Sequence, residues 1–271
     1  MKLKQRLYED YFKPSRLPEY KAVLQAFHDA GYKMVGILDL YNMVIGGGIT
    51  GKVFINRHDI DTSPKVAREM FEIEKDVYGH EGSVTYYFRD STIDKKLIKD
   101  IDDYGYETGY HYEELATYEK EHKLKSIEKM REALPECRGM FLKDIAKFRR
   151  ETGSPCLTVA SHGDFINTKY KIQNVEIMRD QRTREQAGII MEAYDEEVTR
   201  YIQARYADQV LLGRFPNEVK QGISTGYDII MTLTHPRNWE VDFFSNTQDN
   251  IMRFWQGQKY KHGLHQMSKH I

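Results

Sequence analysis

Val53-Phe54-Ile55-Asn56-Arg57-His58-Asp59-Ile60-Asp61 is the stretch from which the rest of the chain can be read. Its apolar, β-branched start predicts a buried strand, and alternate residues of a strand share a face. Asp59 and Asp61 therefore leave the strand end on the same side, where a packed core does not take two carboxylates. Ser63-Pro64 follows and predicts a helix start, with the Ser63 hydroxyl as cap and Pro64 at the first helical position. A strand that ends in paired acids and turns into a helix is the layout of an α/β site. One carboxylate can hold a metal while its neighbour, short of a partner for its charge, acts as a base. The plainer reading of Asp-Ile-Asp is a hydrogen-bonded turn and helix cap.

Outward from this stretch, strand-like and helix-like segments alternate. Val66, Met70, Ile73 and Val77 recur at helical spacing. Ser83 to Arg89 is rich in strand formers, and Leu97, Ile98 and Ile101 mark a helix ending before Gly105. Glu107 to Tyr112 predicts a short strand carrying His111. Leu124, Ile127 and Met130 begin a helical region that Ile145 and Phe148 continue. Leu157 to Ala160 predicts a strand running into Ser161-His162-Gly163, and residues 174 to 207 read as mainly helical, with a short strand near 188–190. Tyr227 to Leu233 predicts a last strand, which enters Thr234-His235-Pro236. A helix over 247–256 closes the pattern. This alternation implies a parallel sheet, open or closed into a barrel. We expect one domain over 1–271: a helical lead-in (1–50), a barrel (51–255) and a polar tail (256–271).

Composition narrows the partners. The 40 Lys+Arg balance 41 Asp+Glu, so no electrostatic footprint points to nucleic acid or anionic membrane. No apolar run approaches the length of a membrane helix, and Met1 to Asp10 contains no secretory h-region. A cytoplasmic protein without membrane insertion is expected. The two cysteines, Cys137 and Cys156, lack metal-ligand spacing and have no recognisable base around them.

Four strand ends carry metal-capable or proton-transferring groups: Asp59 with Asp61, His111, His162 and His235. In parallel α/β folds such ends converge on one face. One carboxylate oxygen and two imidazole nitrogens suit Zn²⁺ or another divalent ion. Such an ion activates water toward an acyl carbon, a second carboxylate takes the proton, and a histidine protonates the leaving amine. His162 could instead be a turn residue before Gly163, and His235 could simply pack beside Pro236 and Trp239. Arg57, Arg89 and Arg237 are candidates to hold a substrate carboxylate or phosphate. They could instead orient Asp59, or each could simply pair with a nearby acid.

Arg57-His58-Asp59-Ile60-Asp61, Gly109-Tyr110-His111-Tyr112-Glu113, Ser161-His162-Gly163 and Leu233-Thr234-His235-Pro236, in that order, resemble the polysaccharide deacetylase family, the NodB-homology carbohydrate esterases. More narrowly they resemble its divergent branch from surface-polysaccharide gene clusters. The resemblance covers roughly residues 50 to 255. It implies a distorted (β/α) barrel of about seven strands and metal-dependent removal of an N- or O-acetyl group. By position, Asp59 would be the catalytic base, Asp61 a metal ligand, His111 the first histidine of a His-x-x-x-His element and His235 the general acid. The second histidine of that element is missing, because Leu115 stands four residues beyond His111. His162 is the expected third ligand, with Glu113 the competing candidate.

The expected substrate is an acetylated sugar in surface-polysaccharide biosynthesis, nucleotide- or lipid-linked because a cytoplasmic enzyme cannot reach finished polymer. Arg237 or Arg57 would then meet its phosphates. Two rivals remain at this level: an inactive barrel serving as a sugar-binding or scaffolding subunit, and a same-fold hydrolase of a small non-sugar amide. Gly46-Gly47-Gly48-Ile49-Thr50-Gly51-Lys52 mimics a phosphate-binding loop, but Val53 follows where a hydroxyl is needed and a strand follows where a helix is needed.

Overall fold

The computed structural model describes residues 3–262. Among them lie eight strands: β1 (Lys33–Val35), β2 (Val53–Ile60), β3 (Thr85–Phe88), β4 (Glu107–Tyr112), β5 (Thr158–Ser161), β6 (Met191–Glu192), β7 (Ala204–Ala207) and β8 (Ile229–Thr234). All pairings are parallel, in the order β6-β5-β4-β3-β2-β8-β7. β1 runs beside the first half of β2 and β3 beside the second, while β8 covers the other side. The outermost strands β6 and β7 do not pair with each other. The sheet is thus a curled (β/α) barrel of seven strands in path, left open along one side, with β1 as an extra strand.

All eight residues of β2 are buried, as expected of a parallel strand covered on both faces. Val53 and Ile55 turn into the barrel with Tyr87, Ala160, Met191 and Met231. Phe54 and Ile60 turn outward into the larger core under the helices, with Tyr86, Phe88, Tyr110 and Tyr112. By the same alternation Arg57 and Asp59 point inward. Gly109 permits the tight centre of the barrel: a Cβ there would lie 2.6 Å from both the Thr158 carbonyl oxygen and the Tyr87 ring. That ring fills the space beneath His111, 6.5 Å away between centroids.

Helix Pro64–Tyr78 buries Val66 and Met70 as the spacing predicts, but the stripe continues through Ala67, Phe71 and Tyr78, while Ile73 and Val77 are only partly buried. Its start differs from expectation. Ser63 is left-handed (φ 59°), and its hydroxyl makes no cap bond and is buried without a partner. The chain has to turn sharply after Asp61, and Ser63 absorbs that turn. The lead-in also differs, because β1 belongs to the sheet. β6 lies just beyond the short strand expected near 188–190, and β7 is a second, unexpected strand in the supposedly helical 174–207 region. The last helix is longer than expected, Phe243–His262, and crosses the boundary set at 256. The rest of the tail, 263–271, lies outside the described residues. No described helix is long and apolar enough to cross a membrane.

Behind the inward face, β2 is tied to its helices by a buried polar knot. His58 Nε2 lies 2.6 Å from Glu74 Oε1, Asn56 Nδ2 donates to the same oxygen at 2.9 Å, and the Tyr20 and Tyr86 hydroxyls also donate to Glu74. Burial, and then the Glu74 charge, push both phenols well above their ordinary range, so they remain donors. His58 Nδ1 meets the Thr234 hydroxyl on β8. Glu74→Ala is expected to cost about 3 kcal/mol in denaturant unfolding, because it strands several buried polar groups at once. A loss below about 1 kcal/mol, the size of one ordinary hydrogen bond, would show that the knot is dispensable.

Candidate active site

The C-terminal strand ends gather the chemistry. Asp59 is at the end of β2 with Asp61 just beyond it. His111 is on β4, His162 follows β5 and His235 follows β8. One ligand atom each from Asp61, His111 and His162 lies within 4.8 Å of the others. His111 Nδ1 is 2.9 Å from the Ala160 carbonyl oxygen, which can only accept, so that nitrogen carries the proton and Nε2 is left with a lone pair. His162 Nδ1 is 2.7 Å from Glu113 Oε2, which directs its Nε2 inward in the same way. Both Nε2 atoms lie 3.4 Å from Asp61 Oδ1, a buried oxygen with no closer partner.

Two imidazole lone pairs and a carboxylate oxygen facing one another repel unless a proton or a cation lies among them. The donor set, one oxygen and two nitrogens with their far sides held by acceptors, fits a divalent ion such as Zn²⁺. Burial raises the Asp61 pKa, but His162 and His111 outweigh it and hold the carboxyl well below its usual range. Burial lowers the His162 pKa, whereas Asp61 and Glu113 raise it to about 9. A cation entering the trio therefore competes with a proton, and its affinity should climb with pH.

Glu113, the alternative ligand in the sequence analysis, faces away from the trio. One oxygen holds His162 and the other accepts from Arg89 Nη2 at 2.5 Å. Glu113→Gln should weaken ion affinity roughly 10- to 100-fold without abolishing binding, measured by competition with a chelating dye. Complete loss of the ion would instead make Glu113 a direct ligand.

Arg57 lies beneath the site. It is 0% exposed and clasps Asp59 through two bonds, Nε to Oδ1 at 2.8 Å and Nη2 to Oδ2 at 2.9 Å. The Tyr87 and Tyr194 rings sandwich its guanidinium at 5.1 and 4.7 Å. This overturns a substrate contact for Arg57 and leaves it the orienting role. Burial would raise the Asp59 pKa, but Arg57, then His111 and His235, lower it, so the carboxylate stays ionised. Asp59 Oδ2 is 3.4 Å from His111 Nε2, which puts it beside the trio.

His235 is gripped by Asp208, a residue without a sequence signal. Its Nδ1 is 2.7 Å from Asp208 Oδ1, and its backbone N–H donates to Oδ2 at 2.8 Å. Trp239 Nε1 donates to the same Oδ2 at 3.0 Å, so Trp239 holds the carboxylate and does not merely pack against the ring. Burial opposes the charged imidazole, yet Asp208 and then the site carboxylates raise its pKa to about 9. Asp208 directly follows β7, a half-exposed edge strand whose Ala-Arg-Tyr-Ala has no apolar run to announce it.

A cavity of 690 Å³ opens above these groups. Asp61, Arg89, His162 and His235 lie at its floor, with Arg237 and residues of the first and last helices around it. Arg237 lines the wall but is already paired, with Asp10 and Asp249 at 2.6 Å each. Arg89 is likewise committed to Glu113.

No protein-family model matches the chain, and no curated protein matches it. Among solved structures, peptidoglycan deacetylase PdaC from Bacillus subtilis overlaps it at 11% identity and a TM-score of 0.29, covering 79% of this chain and 98% of that one. A mutant of the same enzyme gives 11%, 0.29, 77% and 98%. Overlap at that score carries no weight for the chemistry, which rests on the side chains.

Proposed function

We propose that the chain is a metal-dependent hydrolase of acyl groups. Within that class, we read it as a deacetylase of the polysaccharide deacetylase type, acting on an acetylated sugar. One observation carries the reading: a metal-competent Asp61-His111-His162 trio stands beside a carboxylate fixed by Arg57 and an imidazole fixed by Asp208. The ion, when bound, supplies Lewis acidity that ionises water and polarises the acyl oxygen. Asp59, held ionised and aimed by Arg57, takes the proton from the attacking water. His235, protonated through the neutral range, delivers a proton to the departing amine. The cavity is far larger than a small cyclic amide needs and is in the size range of pockets that enclose a drug-sized ligand, which favours a sugar. A nucleotide- or lipid-linked precursor in surface-polysaccharide biosynthesis, handled in the cytoplasm, is the substrate we favour.

The test is acetate release from N-acetylated sugars, free and nucleotide-linked, by protein stripped of metal and then reloaded. Release that depends on Zn²⁺ or a similar ion supports the reading. Stoichiometric ion with no acetate from any acetylated sugar or aryl acetate would leave a sugar-binding barrel as the better account.

A further inference from the structure

Helix Phe243–His262 shows two unlike faces. Inward, Asn246 Nδ2 donates to the Asp10 carbonyl oxygen at 2.8 Å, and Asp249 holds Arg237 and Arg253. Outward stand Phe243, Phe244, Ile251, Phe254 and Trp255, exposed by 67, 77, 54, 60 and 58%. At about 100° per residue these five share roughly one third of the helix circumference. The residues interleaved with them as far as Gln258 are Thr247, Gln248 and Gln258, none charged. Tyr11 of the neighbouring helix Leu3–Tyr11 packs on Phe243 at 5.1 Å between centroids, and Leu7, one turn earlier, extends the patch. An apolar patch of this extent on a folded chain marks an interaction surface.

We propose that this stripe is the interface between two copies of the chain, paired helix to helix about a twofold axis. Three observations commit it to that occupant. Phe244, Thr247, Ile251, Phe254 and Gln258 follow the alternating spacing of three and four residues that forms a helix–helix seam. The solvent-facing positions flanking that seam, Phe243, Gln248 and Trp255, carry no charge, so two identical stripes meet without repulsion. The five side chains leave on the order of 600 Å² to cover. With Leu7 and Tyr11 this approaches the roughly 800 Å² per partner of a stable interface. Antiparallel pairing sets the Phe243-Phe244 end of one copy against the Phe254-Trp255 end of the other, which is self-complementary. Met252, Gln256 and Tyr260 of this helix line the cavity, so pairing braces a wall of the site.

Sedimentation velocity on the full chain tests this. Wild type is expected to sediment at twice the 32.0 kDa monomer mass at about 10 μM. Ile251→Asp should be monomeric there with an unchanged circular dichroism spectrum, and Trp255→Gln should weaken pairing at least about tenfold. A wild type that stays monomeric, or a dimer indifferent to both substitutions, overturns the proposal. So does co-sedimentation of the wild type with phosphatidylcholine–phosphatidylglycerol vesicles that Ile251→Asp abolishes, which would assign the stripe to a lipid surface.

Discussion

Asp61→Asn is expected to give a folded protein that retains no stoichiometric divalent ion and releases acetate on the order of 10⁴-fold more slowly. The substitution keeps shape and removes charge. In the native chain the partners of buried Asp61 Oδ1 are the two imidazoles at 3.4 Å, so the substitution acts on the trio and leaves the rest of the hydrogen bonding in place. What is lost is the only carboxylate oxygen in the trio. Two neutral imidazoles hold a divalent ion far less well than two imidazoles and an anion. Elemental analysis of the purified variant, with acetate release from the same preparation, measures both quantities. A variant that keeps its ion and stays within tenfold of the wild-type rate would remove Asp61 from the site.

The second large effect concerns His235. His235→Ala is expected to slow N-deacetylation about 10³-fold while barely changing hydrolysis of an aryl acetate. An amine cannot leave without a proton, whereas a phenolate can. Equal losses on the two substrates would mean that His235 positions the acyl group and does not protonate the leaving group. Its pH signature follows from the pKa of about 9 that Asp208 imposes against burial. The acid form predominates through neutrality, so the rate should fall as pH rises through about 9. Asp208→Asn removes the largest of the raising causes and leaves Asp61 and Asp59, so the falling limb should move down toward the ordinary histidine value near 6.5. A limb that does not move would detach Asp208 from the chemistry.

The inward half of the site was legible because it obeys the two-residue period of a strand. Asp59 and Asp61 had to share a side, and Glu107 to Tyr112 was bounded correctly from strand formers between two helix signals. His162 and His111 come from different strands, an apolar one before His162 and the polar Glu107-Thr108-Gly109-Tyr110 before His111, and the parallel topology brings their ends together. What escaped lacks such a period. β1 has three residues and β7 is a half-exposed edge, so neither shows an apolar run. Asp208 follows β7 and escaped with it. The part played by Arg57 depends on two tyrosines far away in sequence, Tyr87 and Tyr194, closing over its guanidinium. The Ser63 cap failed because the turn after Asp61 takes a backbone shape that a propensity rule does not anticipate.

Arg237 joins Asp10 near one end of the described chain to Asp249 near the other, and the helices carrying those acids form one wall of the cavity. During synthesis the barrel strands emerge and can pair long before that junction exists. Helix Leu3–Tyr11 must then wait, its partner face bare, until Asp249 and Asn250 have cleared the ribosome. The cavity is therefore finished only after the barrel, and a nascent chain stalled after β8 would hold every proposed ligand yet lack a closed place to receive substrate.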